Sequence, residues 1–267
     1  MIDDSIIMEH DLSNVAAIVG VHYGGQMFDA QKISDICENE GIELIEDAAQ
    51  AFGCSLRGKS AGTNGTFGTF SFHETKNIHC GLGGALVCSS AEDFSIATYI
   101  SERGSNRSDL LKGLVDKYTW VSIGGSYTLS EINAAFLNSQ LRNFKDHLIE
   151  RKKIWMSYYS QLKDCIDITI QRPDPEIQSN YHAFFVIFRD ASTCSLIQKT
   201  LKINEVESYI GYVPLHTSPY ALKNNRCVSA ELPNTNRISE SILRLPMHNY
   251  LTNSEVEKTC NLILKNL

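Results

Sequence analysis

The chain is 267 residues long, 43% hydrophobic and carries a formal net charge of −7, which suits one large domain or one domain with a smaller appendage. Without a concentrated stripe of Lys and Arg, nucleic acid is excluded as the main partner. The cysteines at 37, 54, 80, 88, 165, 194, 227 and 260 form no CxxC pair and no zinc spacing, and no apolar run reaches the ~20 residues of a membrane span. With an acidic start, MIDDSIIMEHD, where a signal peptide is basic, a soluble cytoplasmic protein with no membrane association and scattered reduced thiols is expected.

Residues 15–22, VAAIVGVH, form a continuous apolar run of the kind that makes a strand buried on both faces. A turn at Gly24–Gly25 follows. The next segment opens on Asp29 as a cap, carries Ala30, Ile33, Ile36 and Cys37, and closes at Gly41, an amphipathic helix. Residues 42–46, IELIE, read as a second strand, so the three pieces make a βαβ unit with parallel strands. Asp47 then stands at the carboxyl end of a parallel strand, where open α/β sheets bind ligands.

Short β-prone pieces between 53 and 89 alternate with glycine clusters, and a helix is expected from about Ala91 to Arg103. Gly104–Tyr127 has no clean period and reads as a long functional loop. Thr128-Leu-Ser-Glu131 fits a capping box, opening a helical stretch that runs with a break to about Leu162. Beyond it come a strand at Ala183–Phe188, a helix near Cys194–Leu201, a strand near Glu207–Val213, and a last helix opened by Thr252 and Glu255. That helix carries Val256, Cys260, Ile263 and Leu264 on one face. The expected organisation is a large domain with its linking helix over 1–163 and a small α/β domain over 164–267.

EDAAQ (46–50), FSFHETKN (70–77) and GLGGALV (81–87), in that order, resemble the DegT/DnrJ/EryC1/StrS sugar aminotransferases, fold-type I enzymes that use pyridoxal 5'-phosphate. Within the family, RGSNRS (103–108), VDKYTW (115–120), VPLH (213–216) and LRLPMHNYL (243–251) are most similar to TDP-4-keto-6-deoxyglucose 4-aminotransferases of surface-polysaccharide synthesis. The resemblance implies an α/β fold with a mostly parallel large-domain sheet, a homodimer, a nucleotide-sugar substrate and glutamate as amino donor. It also implies that about the first hundred residues of the family are lacking, so the large-domain sheet is incomplete.

By that resemblance Lys76 matches the catalytic lysine that forms a Schiff base with the cofactor, and Asp47 the carboxylate that keeps its pyridine nitrogen protonated. Gln50 matches the partner of the phenolic oxygen and Ser71 the hydroxyl on the phosphate. Ser126 stands where many relatives carry an asparagine that reaches the partner subunit's cofactor, and Leu82 where many carry an acidic residue. His73 accompanies enzymes that act at sugar C4. Arg107 and Lys117 are the cations expected to meet a pyrophosphate, and Tyr118, Trp120 and His216 are expected to line the sugar pocket. Read alone, Lys76 is a solvated surface charge, Asp47 a turn aspartate, Gln50 a surface side chain and His73 a strand-packed histidine. Two other functions stay open: an inactive fragment or interaction subunit, and a C3 aminotransferase.

Overall fold

The computed structural model describes residues 1–224 and 232–267, so Cys227 lies outside the described residues. The chain divides into two compact units, Met1–Lys145 with Asp174–Asn180, and Asp146–Pro173 with Tyr181–Leu267. The division therefore falls at 145/146 and not at 163/164, because the long helix α6 (Phe144–Leu162) buries Ile154, Trp155, Tyr158 and Leu162 in the core of the second unit.

In the first unit, after a short helix α1 (Asp4–Met8), strands β1 (Ala17–Val21), β2 (Glu43–Asp47), β5 (Phe67–Ser71) and β6 (Gly84–Cys88) form a sheet in the order β1-β2-β5-β6. The first three are parallel and β6 returns antiparallel to β5, which makes the sheet mostly parallel as expected. Helix α2 (Ala30–Glu40) joins β1 to β2: Asp29 accepts from Lys32 N at its start, and Gly41 ends it with φ at 68°, a left-handed angle that costs glycine nothing. Its inner face, Ala30, Ile33 and Cys37, packs with Ile18, Phe28 and Leu44. The close packing of β5 also depends on a missing side chain, since a Cβ on Gly68 would lie 2.0 Å from the carbonyl oxygen of Gly62.

A small antiparallel sheet joins β3 (Ser55–Leu56) to β4 (Lys59–Ser60) and to β8 (Ile177–Gln178), which brings 174–180 back onto the first unit. Helix α3 (Ala91–Ser101) ends two residues before the expected limit. The segment expected as loop contains a short helix, α4 (Arg107–Leu111), and is tied by Val121 and Ser122 amides to the Gly104 carbonyl. Helix α5 (Glu131–Arg142) is capped by Ser130, which accepts from Asn133 N, and not by Thr128. Leu129 packs against the cluster of Phe72, Ile78 and Cys80, so the chain remains extended two residues longer than the Thr-x-x-Glu pattern allows. Apolar side chains on this unit stay exposed, including Val19 (58%), Leu86 (47%) and Phe94 (57%).

The second unit is an antiparallel sheet ordered β10-β11-β9-β7, from β7 (Ile168–Ile170), β9 (Phe184–Phe188), β10 (Tyr209–Ile210) and β11 (Ile242–Leu245). Helices α6, α7 (Ala191–Ile203) and α10 (Asn253–Leu264) pack with it; α8 (Pro219–Lys223) and α9 (Pro233–Ser241) complete the unit. The strand expected over Glu207–Val213 shrinks to two residues on the sheet edge, where Gly211 and Pro214 weaken pairing. The capping box of Thr252 and Glu255 forms as expected. The buried face of α10 is Val256, Thr259, Cys260 and Ile263, whereas Leu264 is 41% exposed, because it lies a further 100° round the helix from Ile263.

Candidate active site

Parallel pairing brings the carboxyl ends of β1, β2 and β5 to one edge. Asp47 ends β2 between its neighbours: its carbonyl accepts from His22 N at 3.0 Å, and the next amide, Ala48 N, donates to Thr69 O at 2.9 Å. Its carboxylate Oδ1 accepts from Ala49 N at 2.9 Å, so the turn-aspartate role is present in the fold, and no other hydrogen bond to this side chain occurs among the described residues. Gln50, on the turn that follows, is buried at 8% exposure and not a surface residue; its Oε1 accepts from Gly24 N at 2.8 Å. Asp47 and Gln50 thus sit on one rigid turn, with their side chains held by backbone amides.

The strand β5 leads out of the same edge into the Lys76 turn. Ser71 Oγ accepts from His73 N at 3.3 Å, His73 Nδ1 lies 3.1 Å from Thr75 Oγ1, and Lys76 N donates to His73 O at 2.9 Å. His73 is therefore a turn residue and not packed on the strand. Lys76 is half-buried, and its Nζ makes no hydrogen bond or ion pair among the described residues. An aromatic cluster seats this turn: Phe52 meets Phe70, Phe72 and Phe144 with ring centroids 5.6, 5.5 and 5.3 Å apart. An amine without a partner, a carboxylate with a spare oxygen and a hydroxyl on one edge match the aldehyde, ring nitrogen and phosphate of pyridoxal phosphate.

The other expected residues lie elsewhere. Arg107 is exposed at the start of α4, and Lys117, Tyr118, Trp120 and Ser126 are exposed in the segment before α5, with Trp120 78% exposed. None of these five hydrogen-bonds to Asp47, Ser71 or Lys76 among the described residues. Leu82 is exposed, its carbonyl accepting from Asn133 Nδ2 at 3.2 Å. His216 belongs to the second unit, where its Nε2 lies 2.9 Å from Asn236 Oδ1.

Sequence reasoning missed the groups beneath the edge. Glu46 and His22 are both fully buried and meet at 2.8 Å. Glu46 also accepts from the amides of Gly62, Asn64 and Gly65 at 3.0, 2.5 and 2.9 Å. Burial pushes the Glu46 carboxyl up, but the hydrogen bonds from His22 and from the Gly65, Asn64 and Gly62 amides outweigh it and hold the group below its ordinary range. His22 stacks on Phe28 with centroids 4.2 Å apart, and its buried Nδ1 has no hydrogen-bond partner among the described residues. The signal for Glu46 was in the strand alternation: it is in phase with Leu44, and an inward carboxylate must be paired.

A mostly parallel sheet with an amine and a carboxylate on its carboxyl edge, followed by a smaller α/β unit, is the scaffold of the fold-type I pyridoxal phosphate-dependent transferases. The DegT/DnrJ/EryC1/StrS aminotransferase family matches residues 2–264, and the chain belongs to that family. It is 27% identical over 256 residues to an uncharacterized protein of Methanocaldococcus jannaschii, covering 93% of this chain and 66% of that one. A "Pleiotropic regulatory protein" of Geobacillus stearothermophilus is 30% identical over 233 residues, covering 86% of this chain and 60% of that one. The chain thus spans less than two thirds of the length of these relatives. The solved structure of DesI in the presence of its TDP-sugar product matches with a TM-score of 0.85 and 25% identity, over 99% of this chain and 66% of that one.

Proposed function

We propose that the chain supplies the lysine and the ring-nitrogen carboxylate of a pyridoxal phosphate-dependent sugar-nucleotide aminotransferase. The proposed reaction converts TDP-4-keto-6-deoxyglucose to a TDP-4-amino-4,6-dideoxyhexose with glutamate as donor, in surface-polysaccharide synthesis of the lipopolysaccharide O-antigen kind, by a cytoplasmic homodimer. The observation that supports this reading is that Asp47 ends β2 while the turn carrying the unpartnered Lys76 amine leaves the carboxyl end of the neighbouring parallel strand β5. DesI, described with a TDP-sugar, supports a nucleotide-sugar substrate.

When bound, pyridoxal phosphate supplies an electron sink for the substrate carbanion. Lys76 anchors it through Nζ and, as a free amine, takes up and returns a proton at that atom. Asp47 holds a proton on the ring nitrogen with its spare oxygen, while the Ala49 amide keeps the carboxylate oriented. Ser71 donates to the phosphate and Gln50 orients the phenolic oxygen. Ser126 reaches the neighbouring subunit's cofactor, His73 belongs to C4 selectivity, and Arg107 and Lys117 meet the pyrophosphate. Tyr118 and Trp120 line the sugar pocket, and His216 is assigned a substrate-binding role of its own.

The test is pyridoxal phosphate uptake by the purified chain, read as a visible absorbance band that Lys76→Ala removes. Absence of binding at excess cofactor refutes the catalytic reading. NMR of products from 4-keto and 3-keto nucleotide sugars separates C4 from C3 amination. The exposed Val19, Leu86 and Phe94 favour a second reading, an inactive fragment or interaction subunit with an uncovered apolar surface. Solubility only beside a partner chain, measured by light scattering, supports that reading, and a monodisperse active dimer removes it.

A further inference from the structure

Asn180 lies far along the chain from both halves of the site, yet it touches the elements that carry each. It is 1% exposed, in the segment 174–180 that β8 attaches to the first unit. Its side-chain Nδ2 donates to Gln50 O at 3.0 Å and Phe52 O at 3.1 Å, so both amide hydrogens go to carbonyls of the turn that follows Asp47. Its backbone carbonyl accepts from Asn77 Nδ2 at 2.8 Å, and Asn77 is the residue after Lys76. Its backbone amide meets Cys54 Sγ at 3.3 Å, and the preceding Ser179 Oγ donates to Gly25 O at 2.7 Å.

Turns are the softest parts of a sheet edge, and each of these two is closed mainly by short-range bonds of its own, Ala51 N to Ala48 O on one and Lys76 N to His73 O on the other. A buried residue that hydrogen-bonds both fixes the spacing between them. We infer that Asn180 is a positioning residue that locks the Asp47–Gln50 turn to the Lys76 turn and so sets the reach from amine to carboxylate on which cofactor capture depends. This rests on the functional reading above. The role calls for asparagine. Its amide nitrogen has two hydrogens for two carbonyls, whereas the isosteric aspartate would aim a carboxylate oxygen at both. Alanine would leave both carbonyls buried without their donor.

Two measurements on the full chain test this. In the cofactor-free protein, amide hydrogen exchange is followed at Ala51, Cys54 and Lys76 in the wild type, Asn180→Ala, Asn180→Asp and Asn77→Ala. Exchange at the Lys76 amide should rise about tenfold in all three variants, the scale of one lost buried hydrogen bond. The control is Ser34→Ala, which removes the bond from Ser34 Oγ to Asn64 O at 3.0 Å in the same unit and should leave the Lys76 amide unchanged. The second measurement is the pyridoxal phosphate dissociation constant, expected to rise about tenfold in Asn180→Ala and Asn180→Asp and not in Ser34→Ala. If Asn180→Ala speeds exchange at Ala51 and Cys54 but leaves Lys76 protected, the residue caps one turn only and the inference fails. Should Asn180→Ala not fold, Asn77→Ala removes the bond from Asn77 Nδ2 to Asn180 O, and an unchanged Lys76 amide in it overturns the inference. A wild type that binds no cofactor refutes the functional reading, while the exchange result still decides the bridge.

Discussion

Replacing Glu46 by alanine tests the clasp beneath the edge. The substitution removes the acceptor of His22 Nε2 and of the Gly62, Asn64 and Gly65 amides, all within 3.0 Å. Breaking a buried pair by removing one partner costs about 3–5 kcal/mol, and each buried donor left unmade about 1–3 kcal/mol. Part of this is recovered as water enters the space, so a net loss of about 4 kcal/mol is expected, a large share of the ~5–15 kcal/mol that holds a typical native state. Urea denaturation followed by far-UV circular dichroism measures it. The pH dependence has a definite sign. Because the folded carboxyl titrates below its unfolded value, the native state binds fewer protons in that window, and stability rises with pH. The Glu46 contribution is complete above the unfolded value near pH 4.3 and is lost as pH falls through the folded one. The stability gap between wild type and Glu46→Gln should therefore shrink from pH 6 to pH 3. A loss under about 1 kcal/mol for Glu46→Ala, or a gap independent of pH, would refute the reasoning.

Gly68→Ala should destabilise by about 3 kcal/mol in the same urea assay, since the new methyl group meets backbone at Gly62 and no side chain can yield. Arg151, 7% exposed, donates to the carbonyls of Tyr181, His182 and Met247, and burial lowers its pKa to about 10. Arg151→Lys should lose about 2 kcal/mol in thermal unfolding, because one ammonium cannot reproduce the fork that serves three carbonyls.

The parts of the fold that sequence made legible are local. Asp29 and Gly41 bracket α2, apolar runs flank it, and the Thr252–Glu255 box needs only four consecutive residues to be recognised. Two overlapping local signals misled where tertiary packing chose between them: Thr128 and Ser130 both fit a cap, and burial of Leu129 in the Phe72 cluster selects Ser130. The βαβ pattern alone put Asp47 at the end of a strand, whereas Lys76 lies five residues past the end of β5 and was singled out only by the resemblance of its motif. Their supports were not legible. His22 meets Glu46 across 24 residues of chain and Asn180 meets Gln50 across 130, and no periodicity encodes such a meeting. A buried carboxylate in phase with Leu44 announces that a partner exists without saying which one.

The supports divide the work in a way that makes them separable. Glu46 joins β1, β2 and the 62–65 loop below the edge, so it acts on whether the sheet holds together. Asn180 spans two turns above the strands and contributes few of the bonds that close the sheet itself, so it acts on where the amine stands relative to the carboxylate. The Phe52 cluster lies between these roles, packing the turn after Asp47 against the strand that leads to Lys76. Stability and cofactor affinity should therefore move apart: a Glu46 substitution lowers the first more than the second, and an Asn180 substitution does the reverse. If both properties fell together in both variants, the edge would be a single cooperative unit, and no residue in it would position the amine independently of the fold.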